Sequence, residues 1–513
     1  MAVDSFQPAP EERKLPTSAA RSVARLTAIL AVAICLVGIS LRTYFYLLNR
    51  SLWVDEAMLA VNIVSRTFVG LLQPLEYDQG APVGFLLAQK VVASLFGNRD
   101  IVLRLIPFLA GCLSVPLVYV VAKRSSRGWS PLVALSLFSL SPTLIYYSSE
   151  VKQYSTDVLM ALLLLLVAQE TFRERSKRGT LLALGIAGAL AMWISHPALF
   201  ILAAILLTLA LVLLVRRDVH RLSWLLGIAA AWGLTLALLY VVSLRNLTSN
   251  SSLLNFWAGS FAPQPIWSNL RWYWSALVGL VRDSAGLGWN PAVLVLLPLG
   301  LSYAAARRWQ WMLLLVLPLL LALVASALGK YPFSGRMLLF LVPSTVLLLA
   351  DGIELVRAGL AKLNRPSAYA VSAILAAYLV YYPALTDAKN LRTPPMRENI
   401  KPVLAYMAAR RQSSDLVYVY YAAVPAVRFY AAAYGLDSAG FFRGVLAREE
   451  PEKYLADVDQ LADNGRVWFV FAHNCTWCRV DEQNYILGHL DEVGQRLDEF
   501  VGNDAATYLY DLR

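Results

Sequence analysis

Two adjacent carboxylates, Asp55 and Glu56, follow directly on an apolar stretch long enough to cross a bilayer, in Arg50-Ser-Leu-Trp-Val-Asp55-Glu56-Ala-Met-Leu-Ala60. A carboxylate at the water-facing mouth of a membrane bundle is suited to take a proton from a hydroxyl. The pair could also help to hold a divalent cation, or simply favour the positive end of the helix that follows. Asn62 and Arg66 share a helical face with Asp55. Glu76 and Asp78 come next, in a turn marked by Gly80 and Pro82. A third group is Tyr146-Tyr-Ser-Ser-Glu150-Val-Lys152-Gln-Tyr154-Ser-Thr-Asp157, crowded with hydrogen-bonding side chains. Asp157 opens a very apolar helix, where a carboxylate either supports the helix dipole or does chemistry. Cations expected at the same surface are Lys90, Arg99, Arg104, Lys152, Arg245, Arg271, Arg282, Lys330 and Arg336. The most compact set is Lys330-Tyr331-Pro-Phe-Ser-Gly-Arg336. It suits an anionic lipid phosphate, or the anchoring of two helix ends. No H-E-x-x-H, Walker loop, G-x-S-x-G or dinucleotide fingerprint is present.

The elements that must position these groups are membrane helices. The 513 residues are 58% hydrophobic and 15% charged, with a mean hydropathy of +0.55, which indicates a polytopic membrane protein. The net charge of +11 does not point to nucleic acid, because the basic residues sit in short clusters between apolar runs. Apolar stretches lie near 24–47, 103–122, 130–148, 155–172, 180–195, 197–215, 223–243, 290–306, 310–328, 337–356 and 367–384. The first has no small-residue cleavage site before it and reads as a retained anchor.

Placing the clusters around Arg13, Lys123, Arg173, Arg216, Arg307 and Arg357 in the cytoplasm gives about eleven spans and an outer C-terminal domain. Residues 82–97 are excluded from the count. As a helix they reach only about 24 Å, and a central Lys90 costs on the order of 3 kcal/mol to insert. They are expected to lie at the outer interface. A second outer segment, 244–289, is rich in Trp and Tyr, as in an aromatic belt or a lid over a sugar.

The predicted organisation is a cytoplasmic tail, 1–23, an all-α transmembrane bundle with juxtamembrane helices, 24–385, and a soluble α/β domain, 386–513. In the last, 398–411 and 481–499 read as helices, and 415–421, 466–473 and 506–512 as strands. Of four cysteines, Cys475 and Cys478 form a C-x-x-C, which outside the cell reads as a local disulfide.

The order of W-x-D-E-A, D-Q-G-A-P-V-G-F-L, L-F-G-x-x-D-x-x-L-R-L, Y-Y-S-S-E-V-K-Q-Y and Y-P-x-S-G-R-x-L-L resembles the GT-C glycosyltransferases. Within them it is similar to dolichyl-phosphate-mannose protein mannosyltransferases and lipid A aminoarabinose transferases. The resemblance covers roughly residues 24–350. It implies transfer of a hexose-type sugar, with inversion, from a polyprenyl-phosphate carrier to an acceptor hydroxyl on the outer face of the cell membrane. It implies Asp55 as base, with a second acidic position at Asp157 or Glu150. It further implies donor-phosphate contacts at Arg104, Tyr331 and Arg336, to which the residues themselves add Lys330. Glu56, Lys152, Tyr154, Glu76 and Asp78 complete the expected site.

No cofactor is required; a divalent ion, if used, would fall to Asp55, Glu56 and Asp157. Partners are the lipid-linked donor, a glycan, lipid or protein acceptor, and membrane lipids. The D-x-H-P-P element of the protein mannosyltransferases reads Asp78-Gln-Gly-Ala-Pro82 here, which argues against a protein acceptor. The alternative is a transporter or flippase of lipid-linked sugars. Transporters place ionisable groups at the midplane, whereas these cluster in outer loops.

Overall fold

The computed structural model describes residues 18–172, 178–474 and 480–513. The basic positions Arg13 and Lys14, the loop from Arg173 to Lys177, and both Cys475 and Cys478 lie outside the described residues. Eight helices are long and apolar enough to cross a membrane by length and composition. Of the eleven predicted stretches, one is broken, one is short and two are joined end to end, for identifiable reasons. Residues 130–147 are broken into Ser130–Ser139 and Pro142–Tyr147, with Pro142 restarting the helix after Ser141. Arg178–Ile194 runs for 17 residues. The stretches 290–306 and 310–328 form one chain of helix, Ala292–Ala327, folded at Arg308 (φ −153°, ψ 84°).

Close backbone approach holds part of the bundle. A methyl on Gly300 would overlap the Leu348 carbonyl, and one on Gly352 the Leu296 carbonyl. Small residues at such crossings let two helices pack directly in lipid, where no hydrophobic drive separates helix from solvent. Several of the basic loops gather at one end of the bundle. There Arg308 donates to the Arg124 carbonyl (3.2 Å), and Glu354 accepts from the Trp129 amide (3.3 Å). Asp55 and the α/β domain are at the other end. Between them Val83–Phe96 forms a helix of 14 residues, with Lys90 Nζ donating to the Val64 carbonyl (2.9 Å) and Val91, Leu95 and Phe96 exposed.

The C-terminal domain is a five-stranded mixed sheet. Its strands are β1 (Leu416–Val419), β2 (Phe442–Arg443), β3 (Arg466–Ala472), β4 (Gln495–Val501) and β5 (Ala505–Asp511), in the order β2-β1-β3-β5-β4. β1 runs parallel to β2 and β3, and β5 is antiparallel to both β3 and β4. The predicted helix 481–499 is corrected. It ends at Val493, before Gly494, and the chain then turns into the edge strand β4. An edge strand with one exposed face carries charges, so Arg496, Asp498 and Glu499 masked it.

The domain does not float free. Trp468, Val417, Val403 and Leu404 share one buried apolar cluster with Leu52, Ala57, Leu59, Phe85 and Val151 of the segments around Asp55 and Lys152. Polar contacts add to this. The Leu52 amide donates to Tyr430 Oη (2.9 Å), Ser51 Oγ to Asn399 Oδ1 (2.8 Å), and Arg428 pairs with Glu76. The loop carrying Asp55 is thus clamped from above.

Candidate active site

The helix Val54–Ser65 starts one residue after Trp53, which puts both carboxylates in its first turn. Successive residues on a helix diverge by about 100°, so the two point in different directions. Glu56 points inward and is 1% exposed. Arg104 grips it with two hydrogen bonds, Nε to Oε1 (3.0 Å) and Nη2 to Oε2 (2.7 Å), and the Val151 amide donates to Oε1 (2.8 Å). Arg104 also donates to the carbonyls of Arg50 (2.6 Å) and Ser51 (3.3 Å). Burial pushes the Arg104 guanidinium toward losing its proton, but Glu56 more than reverses this and keeps it charged. This buried pair ties the segments carrying Asp55 and Lys152 together.

Asp55 points to the mouth. Its Oδ1 accepts from Lys152 Nζ (2.8 Å) and its Oδ2 is paired with Arg336 Nη1 (2.9 Å). Lys152 also donates to Gln79 Oε1 (2.7 Å). Three segments distant in sequence therefore meet at one carboxylate. Burial raises the Asp55 carboxyl, but Lys152 and Arg336 outweigh it and hold it below the usual carboxylate range.

The Arg336 guanidinium stands over the rings of Trp53 (5.5 Å), Trp257 (5.6 Å) and Tyr154 (5.7 Å), a cage that suits cation–π attraction. Trp53 Nε1 donates to Glu150 Oε1 (3.0 Å), while Glu150 Oε2 is buried without a hydrogen-bond partner. Burial first, and then repulsion from Glu56, push the Glu150 carboxyl up to about 7.

Residues 79–242 match the family described as dolichyl-phosphate-mannose-protein mannosyltransferase. Nearly the whole chain superposes on solved structures of similar layout. ArnT from Cupriavidus metallidurans, bound to undecaprenyl phosphate, is 15% identical, with a TM-score of 0.50 over 96% of this chain and 98% of that one. Archaeal oligosaccharyltransferase AglB from Archaeoglobus fulgidus, in complex with an inhibitory peptide and a dolichol-phosphate, is 12% identical, with a TM-score of 0.53 over 93% and 74%. The chain has the GT-C glycosyltransferase fold. No curated protein sequence matches it.

On this GT-C fold the other expected site residues are placed as follows. Tyr154 belongs to the Arg336 cage. Asp157 lies one turn further along the same helix, buried, with Oδ1 unpartnered. Lys330 is exposed and stands apart from the contacts of Arg336. Tyr331 packs on Phe200 (4.9 Å between rings) and spends its hydroxyl on the Met337 carbonyl (2.6 Å). Glu76 is taken by Arg428 and Arg66, and Asp78 by Asn250 Nδ2 (2.7 Å), so both tie loops together at the rim. Arg104, expected at the donor phosphate, is buried and bonded to Glu56. Asp55, Glu56 and Asp157, the expected cation set, are not brought together. Among the described residues no three His, Cys, Asp or Glu side chains gather as a metal site.

Trp53, Tyr146, Trp257, Arg397 and Glu398 also line or brace the site. Trp53 stands beside the carboxylate pair, Tyr146 opens the second polar group and Trp257 belongs to the aromatic segment, so each has a signal in the sequence. Arg397 and Glu398 lie in a polar linker whose composition says nothing of where it folds.

Proposed function

We propose that the chain transfers a hexose-type sugar from a polyprenyl-phosphate carrier to an acceptor hydroxyl at the outer face of the cell membrane. The observation that carries this reading is the ionised Asp55 held between Lys152 and Arg336 at the mouth of the bundle. The fold, and the lipid phosphates bound by its two structural relatives, supply the carrier class.

The reaction is a single displacement. The acceptor oxygen attacks the anomeric carbon as Asp55 takes its proton, and the bond from that carbon to the phosphate oxygen breaks. The polyprenyl phosphate leaves with the electron pair, its charge met by Arg336. At rest Asp55 is a weak base, because two cations stabilise its carboxylate. A phosphate that draws Arg336 onto itself removes one of them and strengthens the base. Donor binding and base activation are thereby coupled.

Arg336→Ala is expected to lower transfer from a synthetic polyprenyl-phosphate sugar by on the order of 10²-fold, roughly 3 kcal/mol of transition-state stabilisation. Arg336→Lys should recover only part, since an ammonium cannot make two parallel bonds to a phosphate. Equal rates for Arg, Lys and Ala, at unchanged thermal stability, would remove Arg336 from the reaction.

Sidedness is tested separately, in a background lacking the native cysteines. An impermeant maleimide should label Gly440→Cys in intact cells and leave Arg127→Cys unlabelled until the cells are opened. The reverse pattern would put Asp55 in the cytoplasm and end the proposal of outer-face transfer.

A further inference from the structure

The segment 393–399 joins the last membrane helix, Arg365–Arg392, to the first helix of the α/β domain, Ile400–Arg410. It crosses the rim of the site and is pinned at several points. The Pro395 carbonyl accepts from Arg50 Nη1 (3.3 Å). Glu398 accepts from the Val54 amide (2.6 Å) and meets His473 Nδ1 (2.6 Å). Asn399 Oδ1 accepts from Ser51 Oγ (2.8 Å). Glu398 has a φ of 46°, a left-handed conformation that non-glycine residues adopt only when their surroundings hold them there.

The residue set between these anchors is Arg397. Its guanidinium lies 5.5 Å from the ring centres of both Trp53 and Tyr146. Arg50 stands 4.3 Å from the same Tyr146 ring, and Arg336 5.5 Å from the same Trp53 ring. Cations and aromatics thus alternate in the series Arg50, Tyr146, Arg397, Trp53, Arg336. Because they share the Trp53 ring, Arg397 and Arg336 come within about 11 Å of each other.

The members differ in how they are occupied. Arg50 is hydrogen-bonded to Ser149 and Pro395, and Arg336 is paired with Asp55. Arg397 is exposed, with no hydrogen-bond or ion-pair partner among the described residues. Counted together, Arg50, Lys152, Arg336 and Arg397 outnumber the carboxylates Asp55, Glu150 and Glu398, so the mouth carries an excess of positive charge. Arg397 also follows the helix Arg365–Arg392 by five residues.

We propose that Arg397 is a second phosphate-binding cation, which grips the carrier phosphate together with Arg336, the two guanidiniums being gathered by Trp53. This rests on the reading of the chain as polyprenyl-phosphate-dependent. The open fork of Arg397 then supplies the first bidentate contact to the incoming lipid, before its phosphate draws Arg336 away from Asp55. The linker delivers it, so the α/β domain contributes to donor binding by holding one end of that linker, through His473 on Glu398 and the Asn503 carbonyl on the Asn399 amide.

The test uses the full chain in nanodiscs, titrated with undecaprenyl phosphate, undecaprenol and inorganic phosphate. Arg397→Ala and Arg397→Gln should each weaken undecaprenyl phosphate about tenfold or more, with Arg397→Lys intermediate. Undecaprenol binding and the ligand-free Tm should not move. Gln keeps a planar group against the rings, so a loss seen with both variants is loss of charge and not of packing. Undecaprenyl phosphate affinity within about twofold of wild type, while Arg336→Ala weakens it, would overturn the role of Arg397 and leave the proposed function standing. Weakening of inorganic phosphate alone would assign the subsite to a soluble anion and overturn the carrier assignment. A wild-type protein that binds undecaprenol as tightly as its phosphate would defeat the proposed function itself.

Discussion

Asp55→Asn is expected to lower sugar transfer by on the order of 10²-fold or more, the usual scale for removing a general base. The change keeps the size of the side chain and its capacity to accept a hydrogen bond from Lys152, so the fold should survive. What it removes is a site for the acceptor's proton. The pH profile separates this role from that of Glu150. Burial lifts Asp55, but Lys152 and Arg336 lower it further, so in the free enzyme it stays ionised until the pH falls below the ordinary carboxylate range. A limb of kcat/KM near neutral pH would come from Glu150, which burial and Glu56 push up to about 7, and should vanish in Glu150→Gln. Near-normal turnover by a folded Asp55→Asn enzyme would sink the mechanism.

Arg104→Ala is expected to destabilise the protein by about 3–5 kcal/mol, the range for breaking a buried ion pair from one side. Glu56 would be left charged and buried, with only the Val151 amide as partner. The carbonyls of Arg50 and Ser51 would lose their donor as well. Thermal unfolding in detergent measures the loss. Replacing both partners by Met should recover much of it, because the uncompensated charge goes too. A variant with unchanged Tm and weakened binding of the lipid phosphate would return Arg104 to the phosphate site, where the sequence resemblance puts it.

Several features are legible in the order of the residues. Lipid forces backbone groups to bond within each segment, so hydropathy alone marks membrane helices. The α/β character of residues 386–513 follows from the alternation of short apolar runs with helical periods. Its weakest point is β4. A charged edge strand has no apolar face to announce it, and it pairs with β5 through backbone groups that every sequence possesses. The polar segment from Tyr146 to Asp157 and the late Tyr-Pro-Phe-Ser-Gly-Arg turn stand out by polarity, and the structure brings Lys152 and Arg336 from them to Asp55.

The sequence is enough to read a membrane bundle with a carboxylate pair after its first span, basic loops and a C-terminal α/β domain, because those features depend on local composition. It did not determine which carboxylate faces the mouth. Both fit the first turn of a helix, and the choice rests on Arg104 claiming Glu56 from one side while Lys152 and Arg336 claim Asp55 from another. Nor could it single out Arg397, an arginine in a polar linker like many others. Only docking of the α/β domain against the loop that carries Asp55 sets that linker over Trp53 and Tyr146. Electrostatic partners act through space, and the distances that select them exist only once the helices have packed.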